Sequence, residues 1–348
     1  MISMETTKTM NKIPSAFNSL VEGISQLIIE TKKSHYKRKD IAMTIVGASL
    51  QKSSIEYTAR APNGDTVFLR LKSALTIEKL KQLISNSRPR IRSKVVLAID
   101  GHVEMFYGKK DAKGVVGTVP KNGTSRGYEY LVAKIITGNK EYIVDILPIY
   151  DNRLVYNTIE MIKELRKIYN ISLILADAEF RTIELFDYLI CEGIHFITKM
   201  KSSKKLKSAN IQYNKAVTYS SIYDGERGKY NLLCKDVFVY RAKSRKKYNY
   251  YLTSDMKRDA AFIIDTYRMR WKIETGFREI NRMEIKTTTR NSLVRLLFYV
   301  VSTLVYNVWI EIRLKFFVRL NDLKSLLIDI IIRYFSSKEK LLRIVGLS

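Results

Sequence analysis

Two short apolar runs in the first half of the chain each end at an aspartate. Val95–Ile99 leads without a polar break into Asp100, and the run that begins at Ser172 leads into Asp177. Runs of this length that are rich in β-branched residues are typical of strands buried on both faces of a sheet. Each aspartate is therefore predicted to lie where a buried strand reaches the surface. Asp100 followed by Gly101 would also suit a simple turn.

The residues around these two runs follow a pattern that predicts a mixed sheet. Further strands are expected at 104–107, 128–137 and 141–149, with a hairpin turn at Gly138 and Asn139. A helix at 157–169, the strand before Asp177, a helix at 182–192 and a strand at 194–199 follow. A hairpin followed by β-α-β crossovers gives an α/β fold in which helices flank a mixed sheet.

The rest of the chain is predicted to be mostly helical, with one β-rich insertion. In the N-terminal region helical periodicity is found at 17–30, 41–50 and 76–84, with Asp40 as a helix cap and 62–65 as a turn. Strand-like stretches at 230–240 and 248–253 form the insertion, and helices are expected over 257–283, 290–315 and 322–335. The predicted divisions are a helical N-terminal region 1–93, a core in two parts 94–200 and 257–315, the insertion 201–256 and a C-terminal helical region 316–348.

Among the features of the composition, net charge says most about the kind of partner that the chain binds. The 348 residues contain 61 Lys and Arg against 34 Asp and Glu, a net charge of +27, while 46% of the residues are hydrophobic. A chain that can form a core and carries this excess of positive charge is predicted to bind a polyanion, with nucleic acid the leading candidate. Two cysteines and three scattered histidines indicate a reducing compartment and speak against a zinc site.

One apolar stretch, 296–310, requires a decision between a membrane span and a buried helix. Its 15 residues fall short of the roughly 20 that a spanning helix needs, and Arg295 and Glu311 bracket it. We therefore predict a buried helix and no membrane partner.

A third carboxylate, Glu274, lies in the predicted helix 257–283. Tyr267, Arg270, Glu274, Arg278 and Asn281 are separated by 3, 4, 4 and 3 positions, which places them on one helix face. An ordinary ladder of surface ion pairs would give the same spacing. Together with the two strand-end aspartates, however, Glu274 would form a trio of carboxylates that binds two divalent cations, Mg²⁺ or Mn²⁺, roughly 4 Å apart for phosphodiester cleavage.

Three stretches taken in order carry a resemblance to a known family. LAIDG, LADAEF and YRMRWKIETGF resemble the insertion-sequence transposases of the DDE superfamily, in particular the group with a Tyr-x-x-Arg-x-x-x-Glu signature. The resemblance covers about residues 94–315 and implies a ribonuclease-H-like catalytic core. Two positions depart from the family pattern: Asn281 stands where the signature has lysine, and Ala178 stands where arginine is frequent.

The resemblance assigns roles to residues of this chain. It implies that Asp100, Asp177 and Glu274 are the catalytic metal ligands, and that Tyr267 and Arg270 contact the DNA strand near the cut. Core packing remains an alternative for Tyr267, and an ion pair with Glu274 remains one for Arg270. Arg278 is predicted to contact a phosphate in place of the missing lysine, with an ion pair to Glu274 as its alternative.

The function implied is that of a DNA transposase. It would bind the terminal inverted repeats of its element through DNA contacts that include the N-terminal region, cleave phosphodiester bonds and transfer the 3′ ends to target DNA. A homodimer in the synaptic complex and a location in the cytoplasm of a prokaryotic cell, associated with the nucleoid, are also implied. A nuclease of the same fold without strand transfer and a catalytically decayed DNA-binding derivative are the alternatives.

Overall fold

The structure is a computed structural model of the chain, and it describes residues 12–31, 34–58, 62–109, 111–150, 153–200, 217–218, 221–225, 228–232, 238–244, 247–255 and 258–344. Four helices form the N-terminal region: α1 (Lys12–Ser25), α2 (Arg38–Gln51), α3 (Gly64–Lys72) and α4 (Ile77–Asn86). The three helices predicted there are present with shifted ends, and α3 is an addition.

Two local predictions in this region are wrong. Asp40 is not the cap of α2 but its third residue, and its carboxylate accepts a hydrogen bond of 2.6 Å from the backbone N–H of Lys37, which is the N-cap. Asn63, predicted to lie in a turn, is the N-cap of α3 and accepts a 2.9 Å bond from the N–H of Thr66. Asn and Asp favour turns and helix N-caps for the same reason, because their side chains bond to nearby backbone N–H groups.

The central sheet follows the predicted order of strands. Its first strands are β1 (Val95–Met105), β2 (Val116–Lys121), β3 (Thr124–Thr137) and β4 (Lys140–Ile149). Helix α5 (Leu154–Arg166), β5 (Ile171–Ala176), α6 (Ile183–Cys191) and β6 (His195–Met200) follow. In space the strands lie in the order β4, β3, β1, β5, β6, antiparallel up to β1 and parallel from β1 to β6.

Strand β1 is longer than predicted. It continues through Asp100 to Met105, because β3 pairs with it from Val96 to Met105, and so it includes part of the strand that was predicted separately at 104–107. On its other side β1 pairs with β5 only as far as Ile99 and Ala176. Strand β2, which also pairs with β3, lies between the strands predicted at 104–107 and 128–137 and was not predicted itself.

The β-rich insertion extends this sheet. Strand β11 (Lys247–Thr253) pairs antiparallel with β6, β10 (Phe238–Ser244) pairs with β11, and β7 (Val217–Thr218) pairs with β10, giving a nine-stranded sheet. Strands β8 (Ser221–Gly225) and β9 (Gly228–Leu232) form a separate hairpin. The strand predicted at 230–240 is divided between β9 and β10, and its residues 233–237 lie outside the described part of the chain.

The C-terminal part consists of α7 (Ala260–Arg268), α8 (Trp271–Ile280), α9 (Ser292–Phe316) and α10 (Leu320–Ile344). The single helix predicted over 257–283 is therefore wrong, since it is broken between Arg268 and Trp271. At the break the N–H groups of Met269 and Arg270 bond to carbonyls three residues earlier, which tightens the turn and redirects the chain. No Pro or Gly marks the break in the sequence.

One hydrophobic core includes residues from every region. Ile24 of α1, Ile45 of α2, Leu97 of β1, Val305 of α9 and Leu327 of α10 are all buried in it. Within the described part of the chain, Ser292–Arg313 is long and apolar enough to cross a membrane by composition, but 83% of its most apolar window is buried inside the protein. The predicted buried helix is confirmed, as is the fold class, a mixed α/β sheet flanked by helices with a β-rich insertion.

Candidate active site

The two aspartates lie side by side where the parallel pairing of β1 with β5 ends, although Asp100 lies within β1 and not at the strand end where it was predicted. Ile99 of β1 and Ala176 of β5 are the last paired residues of two parallel strands, and Asp100 and Asp177 are the next residue on each. Neighbouring strands are about 4.8 Å apart, so both carboxylates leave the sheet in the same place. The backbone of Asp177 is held by Thr198 of β6, whose hydroxyl donates a 3.0 Å bond to its carbonyl oxygen.

Arg270 connects Asp100 to Glu274. Its Nη1 donates to Oδ2 of Asp100 at 2.8 Å, and its Nη2 donates to Oε1 of Glu274 in the first turn of α8. The Arg270 side chain is 8% exposed, that of Asp100 is 15% exposed and that of Glu274 is 47% exposed. The structure thus brings together residues that are 170 positions apart, as the sequence analysis predicted for Asp100 and Glu274.

The electrostatics of Asp100 show that all three carboxylates share one environment. Burial raises the pKa of Asp100 to about 6, and the nearby charges of Asp177 and Glu274 act in the same direction. The Arg270 guanidinium opposes this shift, as does the backbone N–H of Gly101, which bonds to the carboxylate at 3.0 Å. An additional positive charge beside the trio would keep Asp100 ionised near neutral pH.

The donor chemistry of the trio suits a hard divalent cation, because such ions prefer carboxylate oxygens. In this arrangement the guanidinium of Arg270 joins Asp100 to Glu274 through one oxygen of each carboxylate. Within the residues that the structure describes, no three His, Cys, Asp or Glu side chains are already grouped as a metal site. The second oxygen of each carboxylate makes no bond to Arg270.

The three residues predicted to contact DNA have different surroundings. Tyr267 is 4% exposed and packs edge-on against Tyr251, with ring centroids 5.1 Å apart, so the packing alternative describes its position. Arg270 lies 5.7 Å from the centre of the Tyr267 ring and makes the predicted alternative ion pair with Glu274. Arg278 is exposed and, among the described residues, pairs with no carboxylate, so it remains free to contact a phosphate.

Lys134 is a residue of this site that the sequence analysis missed. Its side chain is completely buried beneath α8, where Nζ donates to the carbonyl oxygen of Lys272 at 2.6 Å, to Glu141 at 3.1 Å and to the hydroxyl of Tyr306 at 2.9 Å. Burial lowers the pKa of Lys134 to about 8, although Glu141 acts in the opposite direction. Its only signal in the sequence is that it is the one charged residue in the apolar run 131–136.

Gly276 of α8 fits against this buried amine. A Cβ atom at position 276 would lie 2.5 Å from Nζ of Lys134 and 3.3 Å from the Tyr306 hydroxyl. Since real Cβ atoms do not approach other atoms this closely, glycine lets α8 lie directly on the Lys134 side chain. The helix that carries Glu274 is thereby fixed to β3.

Comparison with known proteins agrees with this geometry. Residues 149–308 match the family model described as Transposase DDE domain, a range that contains Asp177 and Glu274. A solved structure described as the cryo-EM structure of the piggyBac transposase synaptic complex with hairpin DNA is similar, with a TM-score of 0.57 and 14% sequence identity, over 93% of this chain and 79% of that chain. No curated protein matches the sequence.

These two findings confirm the resemblance to DDE-superfamily transposases. The family match concerns the sequence of residues 149–308, and the structural likeness concerns the fold of nearly the whole chain. Together they support a DNA transposase.

Proposed function

We propose that this chain is a transposase that binds the terminal inverted repeats of its own element, cleaves the phosphodiester bonds at their ends and transfers the 3′ ends to target DNA. The observation that supports this most directly is the joint contact of Arg270 with Asp100 and Glu274, beside Asp177 and where the parallel pairing of β1 with β5 ends. A carboxyl group whose pKa is shifted by burial and by neighbouring charges is typical of a functional site.

Asp100, Asp177 and Glu274 would hold two Mg²⁺ or Mn²⁺ ions. When bound, such ions polarise the phosphate and activate the attacking hydroxyl. Arg270 keeps Asp100 and Glu274 together before binding, and Lys134 holds α8 so that Glu274 stays at the sheet edge. Each residue thus has a role in positioning or in ligation.

DNA binding would depend on the excess of positive charge, with Arg278 next to the trio and with the N-terminal region. A transposase processes two ends, so we propose a homodimer in the synaptic complex. Its place would be the cytoplasm of a prokaryotic cell, in association with the nucleoid and without a membrane partner.

The test is cleavage of DNA that carries the ends of the element, in the presence of Mg²⁺. Asp100→Asn, Asp177→Asn and Glu274→Gln should each abolish cleavage and leave DNA binding intact, because one lost charge disables the shared site. Glu184→Gln, at an exposed carboxylate on α6, is the matched control and should cut normally. Normal cutting by any variant of the trio would remove that residue from the site.

Strand transfer distinguishes the two enzymatic alternatives. A transposase should join the freed 3′ ends to a target plasmid, whereas a nuclease of the same fold should release the ends and join none. Binding without either reaction in the wild-type chain would identify a decayed derivative.

A further inference from the structure

A wide groove separates the N-terminal helices from the segment that follows α8. Its volume is about 1250 Å³, and it is lined by residues from 52–57, 65–72 and 286–294. The function proposed for Asp100, Asp177 and Glu274 gives the residues of this groove no role.

One wall is the segment Lys286–Arg290, which is neither helix nor strand and whose side chains alternate in exposure. Lys286, Thr288 and Arg290 are exposed, while Thr287 and Thr289 are half-buried. The segment thus presents two exposed cations with an exposed threonine between them in the sequence.

The backbone of this segment is held by buried partners. Arg295, which is 5% exposed, donates from Nε to the carbonyl oxygen of Thr289 at 2.7 Å and from Nη2 to that of Thr287 at 3.1 Å, and it also pairs with Glu104 of β1. The Lys286 N–H bonds to the carbonyl oxygen of Ser53 at 3.1 Å. The backbone that carries the exposed side chains is therefore held in place before any partner binds.

The groove carries more positive than negative charge. Lys52 and Lys72 on the opposite wall are exposed, and together with Lys286 and Arg290 they give four cations against two carboxylates, Glu56 and Asp65. Among the described residues none of these four cations forms a salt bridge. Exposed Tyr57, at 82%, adds an aromatic surface to the rim.

The groove continues toward the trio. An adjoining cavity of about 680 Å³ shares Lys52, Lys286 and Arg290 with it and is also lined by Asn281. Asn281 is the residue that ends α8, two turns after Glu274. A polymer that enters the groove can therefore extend along this cavity toward the carboxylates.

We propose that the groove binds the phosphate backbone of duplex DNA next to the position of the cut, with Lys52, Lys72, Lys286 and Arg290 contacting phosphates. The four cations, the hydroxyl groups of the segment and the connection to the active site are the features that a DNA backbone requires. This proposal rests on the proposed transposase function, which supplies the DNA.

The experiment measures binding of a fluorescently labelled DNA duplex of random sequence by fluorescence anisotropy as a function of salt. Each phosphate contact contributes about 0.9 to the slope of log K against log salt. Lys286→Ala with Arg290→Ala, and separately Lys52→Ala with Lys72→Ala, should each weaken binding and reduce the slope by about 1.8. Lys163→Ala with Lys167→Ala, at the C-terminal end of α5, removes the same charge outside the groove and should leave the slope nearly unchanged.

A second measurement uses the unmodified chain and does not depend on variants that fold. DNA should protect Lys52, Lys72 and Lys286 from acetylation, as read by mass spectrometry, and should leave Lys163 and Lys167 reactive. Equal protection of both groups, or equal slopes for groove and control variants, would overturn the proposal. If the wild-type chain bound no DNA, the proposed transposase function would itself be wrong. If the wild-type chain bound and cut DNA while the groove variants behaved like the control variant, only the assignment of DNA binding to the groove would be wrong.

Discussion

Arg270 is the residue on which the geometry of the candidate site depends. Its guanidinium donates to Asp100 on one side and to Glu274 on the other, and it is almost fully buried. Arginine suits this position because its planar fork can bond to two carboxylates at once and remains charged when buried. The same contacts make Arg270 a competitor of any divalent cation for these oxygens.

We expect Arg270→Ala to destabilise the chain and to make its stability depend on Mg²⁺. Breaking a buried ion pair costs about 3–5 kcal/mol, and less is expected here because Glu274 is 47% exposed. Thermal unfolding should show a lower Tm without Mg²⁺ and a partial recovery with it, since a bound ion stabilises the folded state by mass action.

The double variant Arg270→Ala with Asp100→Asn is the control for this effect. It lacks a ligand as well as the guanidinium, so Mg²⁺ should no longer raise its Tm. If Mg²⁺ leaves the Tm of Arg270→Ala itself unchanged, the trio does not bind the ion in this form of the protein.

Glu284 provides a pH dependence that is separate from the trio. Burial raises the pKa of Glu284 to about 7, the nearby Glu104 acts in the same direction, and Lys52 and Arg295 oppose it. A carboxyl group whose pKa is higher in the folded than in the unfolded state destabilises the fold as pH rises from about 4.5 through 7. A tenfold difference in proton affinity between the two states corresponds to about 1.4 kcal/mol.

Glu284→Gln should therefore raise the free energy of unfolding most above pH 7 and change it little below about pH 4. Urea unfolding at a series of pH values measures this difference. Glu22→Gln, at an exposed site on α1, should leave the curve unchanged. Parallel curves for wild type and Glu284→Gln would show that the proton on Glu284 does not contribute.

At the scale of single residues, the sequence predicted local contacts better than contacts between distant segments. The spacing of four positions predicted the pair of Arg270 with Glu274, because that contact is local. The bond from Arg270 to Asp100 spans 170 positions and depends on the fold. Lys134 could not be assigned a partner from sequence, since its three contacts lie on β4, α8 and α9.

Among the elements, the break between α7 and α8 has the largest consequence for the site. A continuous helix would place Arg270 and Glu274 on one straight face, whereas the tightened turn at Met269 and Arg270 starts a new helix directly before Glu274. Helix α8 then rests on Lys134 through Gly276 and the carbonyl oxygen of Lys272. Apolar periodicity predicted one continuous helix over 257–283, because the break is made by backbone bonds that periodicity does not show.

The contact between Gly276 and Lys134 predicts a strong coupling between these two positions. Gly276→Ala should lower the stability by about 1–3 kcal/mol, because its Cβ would lie 2.5 Å from an amine held by three hydrogen bonds. In the background of Lys134→Ala that amine is gone, so the cost of Gly276→Ala should be much smaller. A double-mutant cycle in urea measures the difference directly.

Thr275→Ala is the matched control for this cycle. It lies in the same helix but is exposed, and it should change stability by no more than about 0.5 kcal/mol in either background. Additive costs for Gly276→Ala and Lys134→Ala would contradict a direct contact. Loss of cleavage by Gly276→Ala at a temperature where it stays folded would show that this contact also positions Glu274.

For the whole molecule, the sequence predicted the order of the helices and strands. It did not predict that the elements of all regions pack around one hydrophobic core. Hydrophobic period predicted most of the strands, the crossovers and the last two helices, although α10 runs to Ile344 and so extends beyond the predicted end at 335. The residues of α2 from Asp40 to Leu50 are all buried, however, and the helix packs against α9 and α10. The packing of one helix against another depends on contacts between distant segments, which the sequence pattern does not show. For this reason the N-terminal region was predicted as a separate division, although its apolar residues are part of the common core.

Polar contacts strengthen this connection between the two ends of the chain. Asp40 accepts a 2.7 Å bond from the Tyr334 hydroxyl and pairs with Lys338, both on α10. The Ser49 hydroxyl donates to the carbonyl oxygen of Met283 at 2.7 Å, as does that of Ser302 on α9. We therefore expect the N-terminal helices and the C-terminal helices to unfold together.

Hydrogen exchange under native conditions tests this expectation. The slowest amides of α2 and α9 should exchange with the same free energy of opening, because neither helix keeps its apolar face covered without the other. Ile45→Ala, at a fully buried position of α2, should cost about 2–5 kcal/mol and lower the protection of α9 by as much as that of α2. Leu69→Ala, at a site on α3 that is 74% exposed, should leave both helices nearly unchanged. Faster exchange confined to α2 in the Ile45 variant would instead mean that the N-terminal helices open as a unit of their own, and the region could then move relative to the catalytic sheet when DNA binds.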